Sequence, residues 1–325
     1  MRTALITGVN GQDGSYLSEH LLDMGYTVYG LVRPKSFSNT SRIDHIKSDK
    51  FIILHGDILD SNSIYTCFTK ITAKNLEVYH LAAQSHVKVS YDMPEYTCDV
   101  NAMGTLRLLE TCRKFKDRMD IKFYFAATSE LYGNVQNYQD ENTPFNPCSP
   151  YSISKQFGFY MCKNYREAYG MFISCGILFN HESSRRGSDF VTKTITDGVK
   201  NGYVELGNLD SSRDWGHAKD YVRAMHLMLQ ADRPDDFVIA TGETHTVREF
   251  VEKAFKIKGF EIAWKGEGLD EIGIDQNGIT RIKINPNKYR PVDVCYLRGN
   301  STKAREILGW KQEISFDQLI SEMMS

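Results

Sequence analysis

The sequence predicts a doubly wound α/β fold: a parallel sheet with helices on both faces, joined to a smaller mixed α/β domain. Three observations predict it. Short β-branched and aromatic runs alternate with longer helical patterns through the first half of the chain. The runs are apolar almost throughout, as strands buried on both faces are. The first run ends in a glycine-rich turn that opens a helix. Repeated strand–helix–strand units of this kind form a parallel sheet with right-handed crossovers.

Taken in order, strands are expected at residues 3–7 (TALIT), 27–32 (TVYGLV), 51–55 (FIILH), 77–81 (EVYHL) and 122–126 (KFYFA). Helices are expected at 15–24, which stops before Gly25, at 61–71 behind an acidic turn, and at 99–113, where Leu106, Leu109 and Arg113 keep helical spacing. The second half mixes more. It predicts a long helix at 151–169, a sixth buried strand at 172–178, helices at 189–201, 218–230 and 247–255, and one short strand at 237–240. Gly and Asn gather at 201–208 and 266–278, and Pro286 and Pro291 interrupt the last third. There is no internal repeat or low-complexity tract. The expected division is a nucleotide-binding domain of 1–178 plus about 214–243, and a smaller domain of about 179–213 plus 244–325.

Composition narrows the class. With 41% hydrophobic and 25% charged residues the chain has ordinary globular composition, which excludes a disordered or fibrous protein. Basic residues number 39 and acidic residues 41, so there is no electrostatic footprint for a nucleic-acid backbone. No apolar run approaches the ~18 residues of a membrane span. The N-terminal run turns polar and glycine-rich too early for a signal peptide. The seven cysteines are odd in number and include no C-x-x-C pair, which argues against a disulfide framework or a zinc site. The expectation is a cytoplasmic protein with no metal, its cysteines serving as small hydrophobes.

The glycine turn reads Gly8-Val9-Asn10-Gly11-Gln12-Asp13-Gly14. Such a turn lets backbone approach a pyrophosphate, and the helix behind it supplies free N–H groups and a positive dipole end. A glycine triplet alone is a weak signal. Its place between the first strand and the first helix strengthens it. Folds that bind NAD place an acid at the end of the second strand for the ribose 2′-hydroxyl. Here that strand ends in Arg33-Pro34-Lys35-Ser36, two cations and a hydroxyl, which favour the 2′-phosphate of NADP. A solvated basic loop is the plain alternative. Asp57 and Ile58 follow the third strand, where a carboxylate can meet the adenine amino group. Leu81-Ala82-Ala83-Gln84-Ser85 follow the fourth, with small residues that let a cofactor lie close, or that simply pack tightly.

Tyr151 and Lys155 open a helix after Pro150 and share one face at i and i+4. A neighbouring ammonium favours the phenolate and is expected to lower the Tyr151 pKa, making an acid/base. With 18 tyrosines in 325 residues this spacing alone is close to chance. A third element lies about twenty residues earlier: Thr128 and Glu130, in ATSELYG at the end of the fifth strand, where catalytic groups of open α/β sheets collect. Thr128 can hydrogen-bond a substrate oxygen.

Glycine turn, hydroxyl, Tyr and Lys in this order resemble the extended branch of the short-chain dehydrogenase/reductase superfamily, built on a Rossmann sheet. Glu130 adds a carboxylate that a simple ketoreductase or 4-epimerase does not need. It suits a second proton transfer, from a carbon acid, as a sugar 4,6-dehydratase requires; an ion pair with a local cation is the alternative. Longer motifs narrow the resemblance: GVNGQDGSYLSEHLL, SxxNTSRIDHI (36–46), HLAAQSHV, ATSELYG, LFNHESSRRG (178–187), GNLDSSRDWGHAKDYV and YRPVDV are similar to the GDP-mannose 4,6-dehydratase family.

That resemblance implies NADP as cofactor, touched by Gly8 to Gly14, Arg33, Lys35, Ser36, Asp57, Ile58, Leu81, Ala82, Ala83, Gln84, Ser85, Tyr96, Lys155, His181 and Arg186. It implies Thr128, Glu130, Tyr151 and Lys155 as the catalytic set. On the substrate side it adds Ser85, Asn180, Lys193, Gly207, Arg213, Arg290 and Asp293, the arginines suiting a diphosphate. Taken singly, each arginine is equally a surface charge. The implied reaction is loss of water from GDP-mannose to GDP-4-keto-6-deoxy-mannose with NADP+ recycled, first step toward GDP-fucose or GDP-rhamnose. The implied state is a homo-oligomer, a dimer or tetramer. A bifunctional enzyme that also reduces the keto product, a GDP-sugar reductase, a 4-epimerase and an NADP-sensing regulator on the same fold are the rivals. The chain departs from the family's usual Arg-Arg-Ser-Ser after the second strand, and carries Ser184 where the family has proline.

Overall fold

The buried runs do form strands, and alternate residues point to opposite faces. In chain order these are β1 (Thr3–Thr7), β2 (Thr27–Val32), β3 (Phe51–His55), β4 (Asn75–His80), β5 (Asp120–Thr128), β6 (Phe172–Leu178), β7 (Asn180–Glu182), β8 (Val204–Leu206), β9 (Ser212–Arg213), β10 (Trp215–His217) and β11 (Asp236–Ile239). β12 (His245–Thr246), β13 (Ala263–Lys265), β14 (Ile272–Ile274) and β15 (Thr280–Ile284) follow. The computed structural model describes residues 2–34, 39–135, 137–289, 292 and 294–325. Lys35, Ser36, Arg290 and Asp293, all expected in the site, lie outside the described residues.

Seven strands make one parallel sheet in the order β11-β6-β5-β4-β1-β2-β3. The order reverses between β1 and β4, the switch point where ligands of open α/β sheets bind. Leu5, Val78 and Phe123 face one layer, with helices α2 (Ser61–Thr69), α5 (Gly104–Phe115) and α6 (Pro150–Tyr169). Their neighbours Ile6, Tyr79 and Tyr124 face the other, with α1 (Gln12–Asp23) and α8 (Ala218–Gln230). A third core gathers Trp215, Phe250, Phe316 and Leu319. It lies among α7 (Val191–Asn201), α9 (Val247–Ile257), α11 (Phe316–Met324) and the small mixed sheet β13-β14-β15-β8.

Several boundaries differ from expectation. The first helix starts at Gln12 rather than 15, because the glycine turn supplies its first turn. The fifth strand runs to Thr128, since β6 pairs it as far as Leu178. The helix expected over 99–113 is a π turn, Asp99–Met103, leading into α5. Before it stand two short helices that were not expected, α3 (Val87–Asp92) and α4 (Pro94–Cys98). The helix expected from 189 starts at Val191, with Phe190 at its N-cap. All seven cysteines are free, and no helix among the described residues is long and apolar enough to cross a membrane.

Candidate active site

A cleft of about 610 Å³ lies across the carboxyl ends of β1, β2, β4 and β5 and continues toward β7, β8 and β9. Its floor at one end is the glycine turn. Gly8 has φ of +71°, and a Cβ there would stand 2.9 Å from both Cα and N of Ala82. A Cβ on Gly14 would stand 2.4 Å from the Gly8 carbonyl oxygen. The turn is thus glycine-rich in order to fold on itself and on the β4 loop, which leaves Ala82 and Ala83 flush with the cleft. Gly11 caps α1 without a side-chain hydrogen bond, so no side chain covers the helix's first N–H groups.

Gln12 and Asp13 face the cleft but are committed to bracing it. Gln12 donates to the His181 carbonyl at 3.0 Å and accepts from Ser183 at 2.8 Å. His181 Nε2 stands 2.8 Å from Asp13 and Nδ1 stands 2.7 Å from the Phe179 carbonyl, and its ring stacks on Tyr221. Both ring nitrogens face acceptors, an arrangement that favours the imidazolium. Burial works against both charges, yet the pair outweighs it: Asp13 is held below the ordinary carboxylate range and His181 above the ordinary histidine range.

At the end of β2, Arg33 donates to the Tyr96 hydroxyl at 2.6 Å. Asn10, Asp57, Ile58, Leu81, Ser85 and Tyr96 also line this end. Gln84 does not. Its side chain closes a local turn with His86 and Thr97 because Asn101 grips its backbone. Arg42, Nε on the Arg185 carbonyl at 2.7 Å, is a second cation on this wall that sequence reasoning assigned no role, although it sits in the SxxNTSRIDHI motif.

The chemistry-bearing groups meet at mid-cleft. Thr128 ends β5, and its hydroxyl accepts from the Glu130 N–H at 3.2 Å and bears on the Tyr151 phenol. Glu130 lies in the 3₁₀ turn Ser129–Leu131, on the same wall. A capping box between Ser149 and Ser152, with Pro150 in the first turn, fixes where α6 begins and so where Tyr151 stands. Lys155 follows one turn later, its ammonium 2.9 Å from the Ala126 carbonyl and over the Phe125 ring.

Electrostatics here correct one expectation. Tyr151 is not lowered: burial pushes it up to about 12, reinforced by Glu130 and Asp13, against the hydrogen bond from Thr128 and the charge of Arg186. Lys155 is pushed down to about 8 by burial.

Arg186 pairs with the buried Glu182 at 2.8 Å and stacks on Phe190. Asn180, Gly207 and Arg213 line the far end with His86, Phe190, Lys288 and Tyr289, four residues the sequence did not flag. Lys193 is not in the wall; on α7 it pairs with Asp197 at 2.7 Å. The motif around Arg213 is largely a clamp. Asp214 accepts from Thr241, Gly242 and Gly299, Asp220 from the N–H groups of Glu313 and Ile314, and His217 donates to Glu322 at 3.0 Å.

The fold has counterparts among solved structures. Solved structures similar to this chain include a UDP-glucose 4-epimerase of Thermotoga maritima with UDP-glucose, at TM-score 0.84 and 25% identity over 99% of this chain and 97% of that one. A dTDP-glucose 4,6-dehydratase of Bacillus anthracis with NAD scores 0.82 at 20% identity, over 100% and 96%. In sequence the chain is 51% identical to a GDP-mannose 4,6-dehydratase of Drosophila melanogaster, over 99% of this chain and 85% of that protein. It is 49% identical to the human protein of that name, over 99% and 90%. The model of the GDP-mannose 4,6-dehydratase family matches residues 5–323. Glycine turn, Thr128, Glu130, Tyr151 and Lys155 all lie inside that match, and the chain belongs to the GDP-mannose 4,6-dehydratase family.

Proposed function

We propose that this chain is a carbon–oxygen lyase that converts GDP-mannose to GDP-4-keto-6-deoxy-mannose and water. The observation that carries the proposal is the convergence of Thr128, Glu130, Tyr151 and Lys155 on one cleft wall beside a dinucleotide-shaped turn. The glycine cradle, the uncapped α1 N-terminus and the low Ala82–Ala83 floor fit a dinucleotide, and Arg33 with no acid at its strand end fits a 2′-phosphate, so the cofactor is NADP. When bound, NADP+ supplies the hydride acceptor for C4 and returns the hydride to C6.

The residues do the proton chemistry. Tyr151 as phenolate takes the proton of the 4-hydroxyl while Thr128 hydrogen-bonds that oxygen. Burial holds the Tyr151 phenol high, Thr128 and Arg186 pull it toward the phenolate, and in this reading the Lys155 ammonium, one turn along the same helical face, supplies the further pull when substrate is bound. The 4-ketone acidifies the C5 hydrogen, which Glu130 removes as general base. Glu130 then protonates the departing 6-hydroxyl, which leaves as water. Tyr151 returns its proton to C5 as C6 is reduced. Asn180, Gly207, Arg213, Arg290 and Asp293 hold the GDP-sugar, and the expected contacts that line the glycine-turn end of the cleft hold the cofactor. Residues 1–178 with about 214–243 serve the cofactor, and about 179–213 with 244–325 the sugar nucleotide. The exposed stripe of Ile153, Phe157 and Tyr160 on α6 supports a homo-oligomer, and seven free cysteines support a cytoplasmic protein.

Mass spectrometry of GDP-mannose incubated with the purified protein and NADP+ tests this. Loss of one water is expected without NADPH, and a further gain of two hydrogens only with NADPH marks the bifunctional alternative. Glu130→Gln should stay folded and abolish elimination, and Tyr151→Phe should block the first oxidation. Normal turnover by Glu130→Gln refutes the assignment.

A further inference from the structure

A buried polar chain outside the cleft joins the two halves of the reaction centre. His80, the last residue of β4, is 1% exposed and lies between the rings of Phe123 and Phe125. Its Nδ1 is 2.9 Å from Thr7 Oγ1 and its Nε2 is 3.0 Å from Thr105 Oγ1. Thr105 donates its own hydrogen to the Asn101 carbonyl at 2.6 Å, so it accepts from His80 Nε2–H. Thr7 Oγ1 accepts from the N–H groups of Leu81 and Ala82, each at 3.1 Å, so its hydrogen goes to Nδ1. The two partners fix one neutral tautomer. Burial pushes the imidazole down to about 3, helped by the Lys155 charge, and so keeps it neutral in any working buffer.

Past Thr105 the chain reaches the catalytic helix. Asn101 stands in the π turn, a rare geometry that recurs at functional sites. Its Oδ1 accepts from the Gln84 N–H at 2.8 Å, and its Nδ2 donates to the Gln84 carbonyl at 2.9 Å and to Ser154 Oγ at 3.0 Å. Ser154 donates to the Tyr151 carbonyl at 2.7 Å.

We propose that His80 is a positioning residue, a neutral imidazole that sets the spacing between the cofactor loop at Leu81 and Ala82 and the helix carrying Tyr151 and Lys155. It acts through Thr7 on one side and through Thr105 and Asn101 on the other. The inference rests on the function proposed for the cleft. A loose core would cost stability alone; a spacer in this place also separates cofactor affinity from turnover. Displacing a reacting group by an ångström costs on the order of 100-fold in rate.

The test uses three changes in the full chain, two nearly isosteric and one that keeps the hydroxyl. Thr105→Val cuts the helix side: kcat on GDP-mannose should fall about tenfold or more while NADPH affinity and KM stay within about threefold. Thr105→Ser, which keeps the hydroxyl, should restore kcat to within about threefold of wild type. Thr7→Val cuts the cofactor side: NADPH affinity, read by its fluorescence, should weaken about fivefold or more. Folding is checked by circular dichroism and melting. If a folded Thr105→Val turns over at the wild-type rate, or if Val and Ser lose equally, the positioning role is overturned. If the wild type leaves GDP-mannose unchanged, the proposed function fails, and unchanged NADPH affinity in Thr7→Val then overturns this inference separately.

Discussion

Gly8→Ala tests whether the glycine turn is shaped by packing against the β4 loop, and Gly25→Ala is its internal control. Both glycines have positive φ, +71° and +84°. An added methyl at Gly25, past the end of α1, meets nothing within 4 Å, whereas at Gly8 it stands 2.9 Å from the backbone of Ala82. Gly25→Ala therefore carries only the left-handed backbone cost, about 1 kcal/mol after the stiffer unfolded chain is counted. Gly8→Ala adds an overpacking term of about 1–3 kcal/mol, because no side-chain rotation relieves a clash with backbone. Unfolding entropy of ~2.1 cal/mol/K per residue over 325 residues makes 1 kcal/mol worth about 1.5 °C in Tm. The expectation is a fall of about 1–2 °C for Gly25→Ala and about 3–6 °C for Gly8→Ala, measured by differential scanning fluorimetry. Displacing Ala82 should also weaken NADPH binding in Gly8→Ala and leave it unchanged in Gly25→Ala. Equal melting points and equal NADPH affinities in the two variants would refute the packing argument.

Three further outcomes are expected. Arg33→Ala should weaken NADP+ by about 1.5–3 kcal/mol, the worth of a hydrogen bond to a charged group, and leave NAD+ affinity nearly unchanged; parallel losses by calorimetry would remove Arg33 from the 2′-phosphate. The His181 contribution to stability is full below its unfolded value of about 6.5 and is lost as pH rises through its raised folded value, while that of Asp13 is full above about 3.9 and is lost as pH falls through its lowered one. Asp13→Asn should accordingly lose more stability in urea at pH 6 than at pH 9, and a gap independent of pH would show the pair uncharged. Lys155 is held at about 8, so under the proposed role of its ammonium in favouring the Tyr151 phenolate kcat should decline above that pH; a flat profile to pH 10 would count against that role.

The sheet was legible because its strands are apolar on both faces. β1, β2, β3 and β6 begin and end where their apolar runs do. Legibility failed where the signal is short or non-local. β8, β13 and β14 have three residues each, too few for any period to emerge. The π turn inside the 99–113 pattern keeps the helical spacing of its apolar residues and so left no trace. In the site, Thr128, Glu130, Tyr151 and Lys155 were found from order and spacing. The direction of the Tyr151 shift was not, because burial, the largest influence on that phenol, is a property of the packed chain. Phe190, Lys288 and Tyr289 enter the wall only through tertiary packing. Of the RDWGHAKDYV motif only Arg213 was expected in the site, and it lines the cleft, while Asp214 and Asp220 beside it cap distant backbone.

Glu322 on α11 reaches His217, and through its other oxygen Ser184, 138 positions earlier in the chain. Ser184 belongs to the segment whose Ser183 braces Gln12 and whose Arg186 lines the cleft. On the ribosome the glycine turn, β4 and β5 emerge and can pair long before α11 exists. The cofactor end of the cleft can thus take shape early, while the 183–187 segment waits for α11 to emerge before its outer side is secured. A nascent chain stalled before residue 316 would carry an assembled sheet with one wall of its cleft unfastened, the form in which chaperones and proteases would meet it.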